Sequence, residues 1–258
     1  MPGTLYLVPN TLDFGVAAAG ATADLQEVLP LGVIRIAARL PCWVAENAKT
    51  TRAFLKRVDA VVPLAQPLQA LRIVELPRPG KGAPKAAEPA AAMAMAALLQ
   101  PARDGNDIGL ISEAGLPAVA DPGAALVQAA HLEGIAVEPL PGPSSLLLAL
   151  AASGLHGQCF AFVGYLPIDA ALRSVRIREL EALSRRAGQT QLMIETPYRN
   201  PALLAALLAA LDGATRLAVS CGLTLAQGFT RSDPVAAWRS RPTVLPADIP
   251  AVFSLLAR

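Results

Sequence analysis

Ile108-Gly109-Leu110-Ile111-Ser112-Glu113-Ala114-Gly115-Leu116-Pro117-Ala118-Val119-Ala120-Asp121-Pro122-Gly123 carries the architecture of this chain. The apolar run Ile108 to Ile111 reads as a buried strand. It empties into a loop with two glycines, two prolines and two carboxylates, and the chain restarts as an apolar helix near Ala124. Open α/β sheets bind their ligands in such loops, beyond the carboxyl ends of the strands. This one is too long and too polar for a plain connector, so a bound molecule is expected there.

Working outward, strand-like runs alternate with helical ones. The strands expected are Leu5–Val8, Trp43–Glu46, Ile108–Ser112, Ala136–Leu140, Phe160–Tyr165, Gln191–Glu195, Arg216–Ser220 and Ala251–Leu256, with Gly228–Arg231 as a further short one. The helices expected are Ala23–Arg39, Lys49–Val58, Glu88–Gln100, Ala124–Glu133, Ser144–Ala152, Leu172–Arg186 and Pro201–Leu211. Asn200-Pro201 opens a helix, and Gly134, Gly154, Gly188 and Gly213 end others. Such alternation predicts an α/β fold with mainly parallel strands in the first half and a mixed sheet in the second. The Pro141-Gly142-Pro143 turn predicts a domain boundary between Pro141 and His156. Pro77 to Lys85, rich in proline and glycine, reads either as a surface flap or as a connector.

Composition narrows the function. Apolar residues make up 53% of the 258, but no run approaches the length a membrane span needs, so no membrane partner is expected. The chain opens on a strand without a basic, cleavable leader, which points to the cytoplasm. Cys42, Cys159 and Cys221 lie far apart and read as reduced, buried thiols. His131 and His156 are the only histidines and read as structural, so no metal site is expected. A net charge of +2 is too weak to announce nucleic-acid binding. The arginines 173, 176, 178, 185 and 186 fit a solvated helix face or an RNA contact. Lys49-Thr50 lacks the glycine-rich loop of a P-loop, and the dinucleotide, nucleophile-elbow and H-E-x-x-H signatures are all missing.

What remains is a set of loops in a fixed order: Val8-Pro9-Asn10-Thr11, Ser112 to Gly123, Pro139 to Ser145, Phe162-Val163-Gly164-Tyr165-Leu166-Pro167 and Ile194-Glu195-Thr196-Pro197-Tyr198-Arg199. Together with Gly3-Thr4-Leu5-Tyr6-Leu7-Val8, their wording resembles the tetrapyrrole methylase superfamily of S-adenosylmethionine (SAM)-dependent methyltransferases. The nearest branch is that of the 16S ribosomal RNA cytidine 2′-O-ribose methyltransferases. The resemblance implies two α/β domains, taken as residues 1–142 and 143–258, with SAM in the cleft between them and commonly a homodimer. It implies that Pro9, Ala114, Gly115, Leu116 and Val119 hold the cofactor. Ser144, Ser145, Tyr165, Leu166, Glu195, Thr196 and Thr224 are implied in the same role.

Three departures bear on the substrate. The first loop differs from the Ala-Thr-Pro-Ile-Gly-Asn-Leu usual in the rRNA branch. Asn47 replaces the acid of an Ala-Glu-Asp-Thr-Arg segment, whose following His-rich stretch is absent. A helical C-terminal extension is also expected to be missing. Methyl transfer to a ribose hydroxyl calls for alignment and a general base. The candidates are Glu46, Glu113 and Asp121, each expected at or beyond a strand end; Asp121 reads equally as a helix N-cap. RNA ribose methylation is the expected reaction, with methylation of a tetrapyrrole or other small molecule, or SAM binding without catalysis, as the alternatives.

Overall fold

The computed structural model describes residues 1–13, 24–77 and 88–258. The chain divides into two compact units, Met1–Pro143 and Ser144–Arg258.

In the first unit, strand β1 (Thr4–Leu7) precedes helices α1 (Leu25–Val28) and α2 (Leu31–Arg39). Then follow β2 (Cys42–Ala45), α3 (Ala48–Val61), β3 (Arg72–Glu75), α4 (Glu88–Leu98), α5 (Gln100–Arg103), β4 (Ile108–Ile111), α6 (Ala124–Leu132) and β5 (Ala136–Pro139). The strands form one sheet in the order β3-β2-β4-β1-β5, and every pairing is parallel. Parallel sheets need cover on both faces, and the alternation along the strands supplies it. Tyr6, Val8, Trp43 and Ala45 pack with Leu29 between α1 and α2, Ile34 of α2, and Phe54 and Leu55 of α3. Leu5, Val44, Ile108 and Leu110 pack instead with Leu99, Leu126 and Ala130 on the other face. All four residues of β4 are buried. Gly109 in that strand is dictated by packing, because a Cβ there would lie 2.7 Å from the indole of Trp43.

The second unit runs α7 (Ser145–Ser153), β6 (Phe160–Tyr165), α8 (Ala170–Ala187), β7 (Thr190–Ile194), α9 (Asn200–Ala210), β8 (Arg216–Cys221), β9 (Phe229–Pro234), α10 (Val235–Ser240) and β10 (Ala251–Leu256). Its sheet is mixed, in the order β6-β7-β10-β8-β9. β6 is parallel to β7, while β10 is antiparallel to both of its neighbours. It follows that β6, β7 and β8 all point the same way and end on one edge. One face packs on α8, α9 and α10 through Ile177, Leu203, Leu207, Trp238 and Phe253. The other packs on α7 through Leu146, Leu150, Leu192 and Val252. Buried Glu181 of α8 accepts hydrogen bonds from the Asp212 N–H and the Thr215 hydroxyl, which ties that helix to the turn after α9.

The α/β class and the mixed second sheet match the reading of the sequence; several boundaries do not. The helix expected over Ala23–Arg39 breaks at Pro30, which cannot donate the hydrogen bond a continuous helix needs; Ala23 itself lies outside the described residues. Pro101 likewise starts α5 afresh after α4. β3, a half-exposed edge strand, and α10 carry too little apolar periodicity to be read, and the short strand near Gly228 extends to Pro234. Cys221 is buried, but Cys42 and Cys159 are only half-buried; all three are free. The stretch 78–87, with most of the expected flap, lies outside the described residues. No helix among the described residues is long and apolar enough to cross a membrane.

Gly109→Ala is expected to destabilise the chain by about 1–3 kcal/mol through overpacking against Trp43. Gly32→Ala, in α2 with nothing within 4 Å of the added Cβ, is expected to stabilise by about 0.5–1 kcal/mol. Thermal melts of the pair check both signs.

Candidate functional site

The first unit assembles its loops around Asn10. This residue is 6% exposed, and its side-chain amide donates to the carbonyls of Ser112 (3.2 Å) and Glu113 (2.9 Å). Its backbone N–H donates to Gly115 O at 2.9 Å, and Gly115 returns the bond at 3.2 Å. The loop after β1 is thus stitched to the loop after β4, its neighbour in the sheet. Gly115 meets this geometry with a φ of +69°, a conformation that disfavours any residue with a Cβ. The loop after β5 closes in as well: a Cβ on Gly142 would stand 2.3 Å from the Pro9 Cβ. Sequence reasoning passed over Asn10. Its signal was an Asn-Thr pair directly beyond a strand end, where a short amide can replace ladder hydrogen bonds.

The β4 loop is held under strain. Ala118 and Ala120 both adopt left-handed backbone, φ +64°, which costs about 1–2 kcal/mol for each non-glycine residue. Strain of this kind collects at ligand sites. Within the same loop Ala114 and Gly115 are buried, Leu116 is half-buried and Val119 is exposed. The Ser112 hydroxyl is buried without a hydrogen-bond partner.

Glu46, Glu113 and Asp121 come together at the carboxyl ends of β2 and β4. The Glu46 carboxylate accepts the Glu113 N–H at 3.1 Å. The Asp121 carboxyl is pushed up to about 7, first by burial and then by the negative charges of Glu46 and Glu113. The alternative N-cap role of Asp121 is not realised: Gly123 occupies that position in α6, without a side-chain cap bond. Asn47, in contrast, does cap a helix, accepting the N–H groups of Lys49 and Thr50 at the start of α3. Asn and Asp cap equally well, so the loss of the acid there leaves the local fold intact. Among the described residues, no group of three or more His, Cys, Asp or Glu side chains is arranged to hold a metal ion.

In the second unit Tyr165 ends β6 and Leu166 follows it, Glu195 and Thr196 follow β7, and Thr224 follows β8, so all five lie at the same sheet edge. Leu166 is packed into the core, which leaves its backbone as the part able to meet a ligand. Glu195 is buried and accepts both the N–H (2.8 Å) and the hydroxyl of Thr196. Thr224 is exposed and left-handed, φ +69°. Ser144 and Ser145 open α7; Ser144 is buried and its hydroxyl makes no cap bond, so that group is not consumed by the helix.

Residues 48–235, well over half of the chain, match the model of the tetrapyrrole (corrin/porphyrin) methylases. The chain belongs to that family. The chain is 40% identical over 127 residues to a ribosomal RNA small subunit methyltransferase I of Mesorhizobium japonicum, covering 49% of this chain and 42% of the relative. It is 38% identical over 221 residues to a protein of the same name from Mycobacterium bovis, covering 84% of this chain and 62% of that one. The chain therefore spans less than two thirds of the length of either relative. A uroporphyrin-III C-methyltransferase from Thermus thermophilus, crystallised with S-adenosylhomocysteine, shares the fold. Its TM-score is 0.52 at 21% identity, over 98% of this chain and 97% of that one.

The raised carboxyl of Asp121 has a measurable sign. Its protonated form is favoured by folding, so its contribution to stability is full below about pH 4 and is lost as the pH rises through about 7. Asp121→Asn is expected to raise stability near pH 8 by about 1–2 kcal/mol, after allowance for solvent screening, and to change little near pH 4. Denaturant titrations across that range check it.

Proposed function

We propose that this chain is a SAM-dependent methyltransferase whose acceptor is a ribose 2′-hydroxyl of ribosomal RNA. The observation that carries the reading is the stitched, strained loop after β4 in a member of the tetrapyrrole methylase family, supported by the shared name of the relatives above. In this reading Pro9, Ala114, Gly115, Leu116 and Val119 hold SAM mainly through backbone groups. Ser144, Ser145, Tyr165, Leu166, Glu195, Thr196 and Thr224 supply the contacts of the second unit. The residues suit such a ligand: the Ser112 hydroxyl is buried and unpartnered, and the Ser144 hydroxyl is left free by its helix. Bound SAM supplies an electrophilic methyl on a sulfonium.

The chain's own task is then to align the acceptor oxygen and remove its proton. Asp121 is the group best suited as general base, since a carboxyl titrating near neutrality is both available and basic enough. Burial sets that basicity, with the charges of Glu46 and Glu113 adding to it, and Glu46 also orients the Glu113 backbone. Methylation of a tetrapyrrole or other small molecule is the second reading, favoured by the net charge of only +2. Calorimetry with SAM, followed by labelled-methyl transfer to small ribosomal subunits, tests the proposal. Wild-type chain is expected to bind SAM and to label the RNA. Its rate should rise with pH to a plateau above about 7. Asp121→Asn is expected to lower kcat by about 10²–10⁴-fold with SAM affinity retained. SAM binding without RNA labelling would favour the small-molecule reading.

We further propose that the chain works in the cytoplasm, where its three free thiols stay reduced, and that it acts as a homodimer. Phe160 and Phe162 support the latter, standing 41% and 37% exposed on the outer strand β6. Apolar surface of this kind marks association sites. Phe162→Glu is expected to convert a dimer to monomer in sedimentation equilibrium; a wild-type monomer would refute the assembly.

A further inference from the structure

Tyr198 is 66% exposed, among the most exposed aromatic side chains of the second unit. It does not sit on a loose loop. The short 3₁₀ turn Pro197–Arg199 is pinned before and after. Upstream, the Glu195 carboxylate holds the Thr196 N–H at 2.8 Å, and Arg199 N–H closes the turn onto Thr196 O at 2.8 Å. Downstream, Asn200 is fully buried and donates to Ile249 O at 3.0 Å. A turn anchored this firmly presents its aromatic ring to solvent at little further entropic cost. The Arg199 guanidinium lies 5.3 Å from the Tyr198 ring centroid, so ring and cation form a cation–π pair.

Arg199 itself places a positive charge at the turn, beside the ring. β6 and β7 are adjacent and parallel, so α8, which follows β6, starts at the same sheet edge; its first turns carry Arg173 and Arg176, the latter ion-paired with Glu179 at 3.0 Å.

We infer that Tyr198 and Arg199 form a stacking platform for a base of single-stranded RNA, beside the Glu195-Thr196 loop. This rests on the RNA reading above. Aromatic rings stack on any base, and arginine extends the stack while meeting the backbone charge. The platform therefore contributes to RNA affinity and has no part in holding SAM.

The test is fluorescence anisotropy with a short fluorescein-labelled single-stranded RNA, run beside SAM calorimetry, on full-length wild type, Tyr198→Ala, Tyr198→Trp and Arg199→Ala. Tyr198→Ala is expected to weaken RNA binding about 5- to 100-fold, Arg199→Ala to weaken it and flatten its salt dependence, and Tyr198→Trp to restore it, all with SAM affinity unchanged. RNA binding left intact in Tyr198→Ala overturns the platform while sparing the RNA reading. Parallel loss of SAM binding overturns it in favour of a structural role for the turn. A wild type that binds SAM but no RNA overturns the platform and the RNA reading together.

Discussion

One buried amide organises the first unit. Asn10 joins two loops that leave adjacent parallel strands, and nothing in a parallel sheet does this by default, since ladder hydrogen bonds stop at the strand ends. Its side chain and backbone together take up carbonyls of Ser112 and Glu113 and both polar groups of Gly115. In a buried setting such bonds are costly to leave unmade, so the β4 loop is held to one conformation. The left-handed Gly115, Ala118 and Ala120 then follow as the price of that conformation. So does the position of Glu113, whose N–H meets Glu46.

That arrangement explains the electrostatics beyond it. Three carboxylates approach one another without any cation side chain among the causes of the Asp121 shift, and burial is the first of those causes. The cost of its ionisation is therefore a consequence of the loop path. Elsewhere in the unit the polar residues have ordinary work, as when Asn47 caps α3. The second unit solves a different problem. By inserting β10 antiparallel between β7 and β8, it still brings the ends of β6, β7 and β8 to one edge, so that loops distant in sequence share a rim.

Much of this was legible in the residues. The apolar run Ile108 to Ile111 and the glycine and proline punctuation pointed to an α/β chain, because burial on both faces demands such runs and tight loops demand such residues; the family was legible only through the resemblance of the ordered loops. The helix interruption at Pro30 was legible too, and was passed over because the apolar spacing continues on both sides. β3 left no trace: an edge strand is half solvated, so Arg72 and Glu75 interrupt its apolar pattern.

Local chemistry in the chain was enough for strands, helices and the wording of the loops, since these depend on neighbours a few residues away. Three properties arose only in the folded molecule: the partner set of Asn10, the raised carboxyl of Asp121 and the anchoring of the Tyr198 turn by Asn200. Each depends on groups remote in sequence, about a hundred residues apart for Asn10 and Ser112. Hydrogen bonds and desolvation act through space, so the environment that gives these side chains their roles exists only once the sheets have formed.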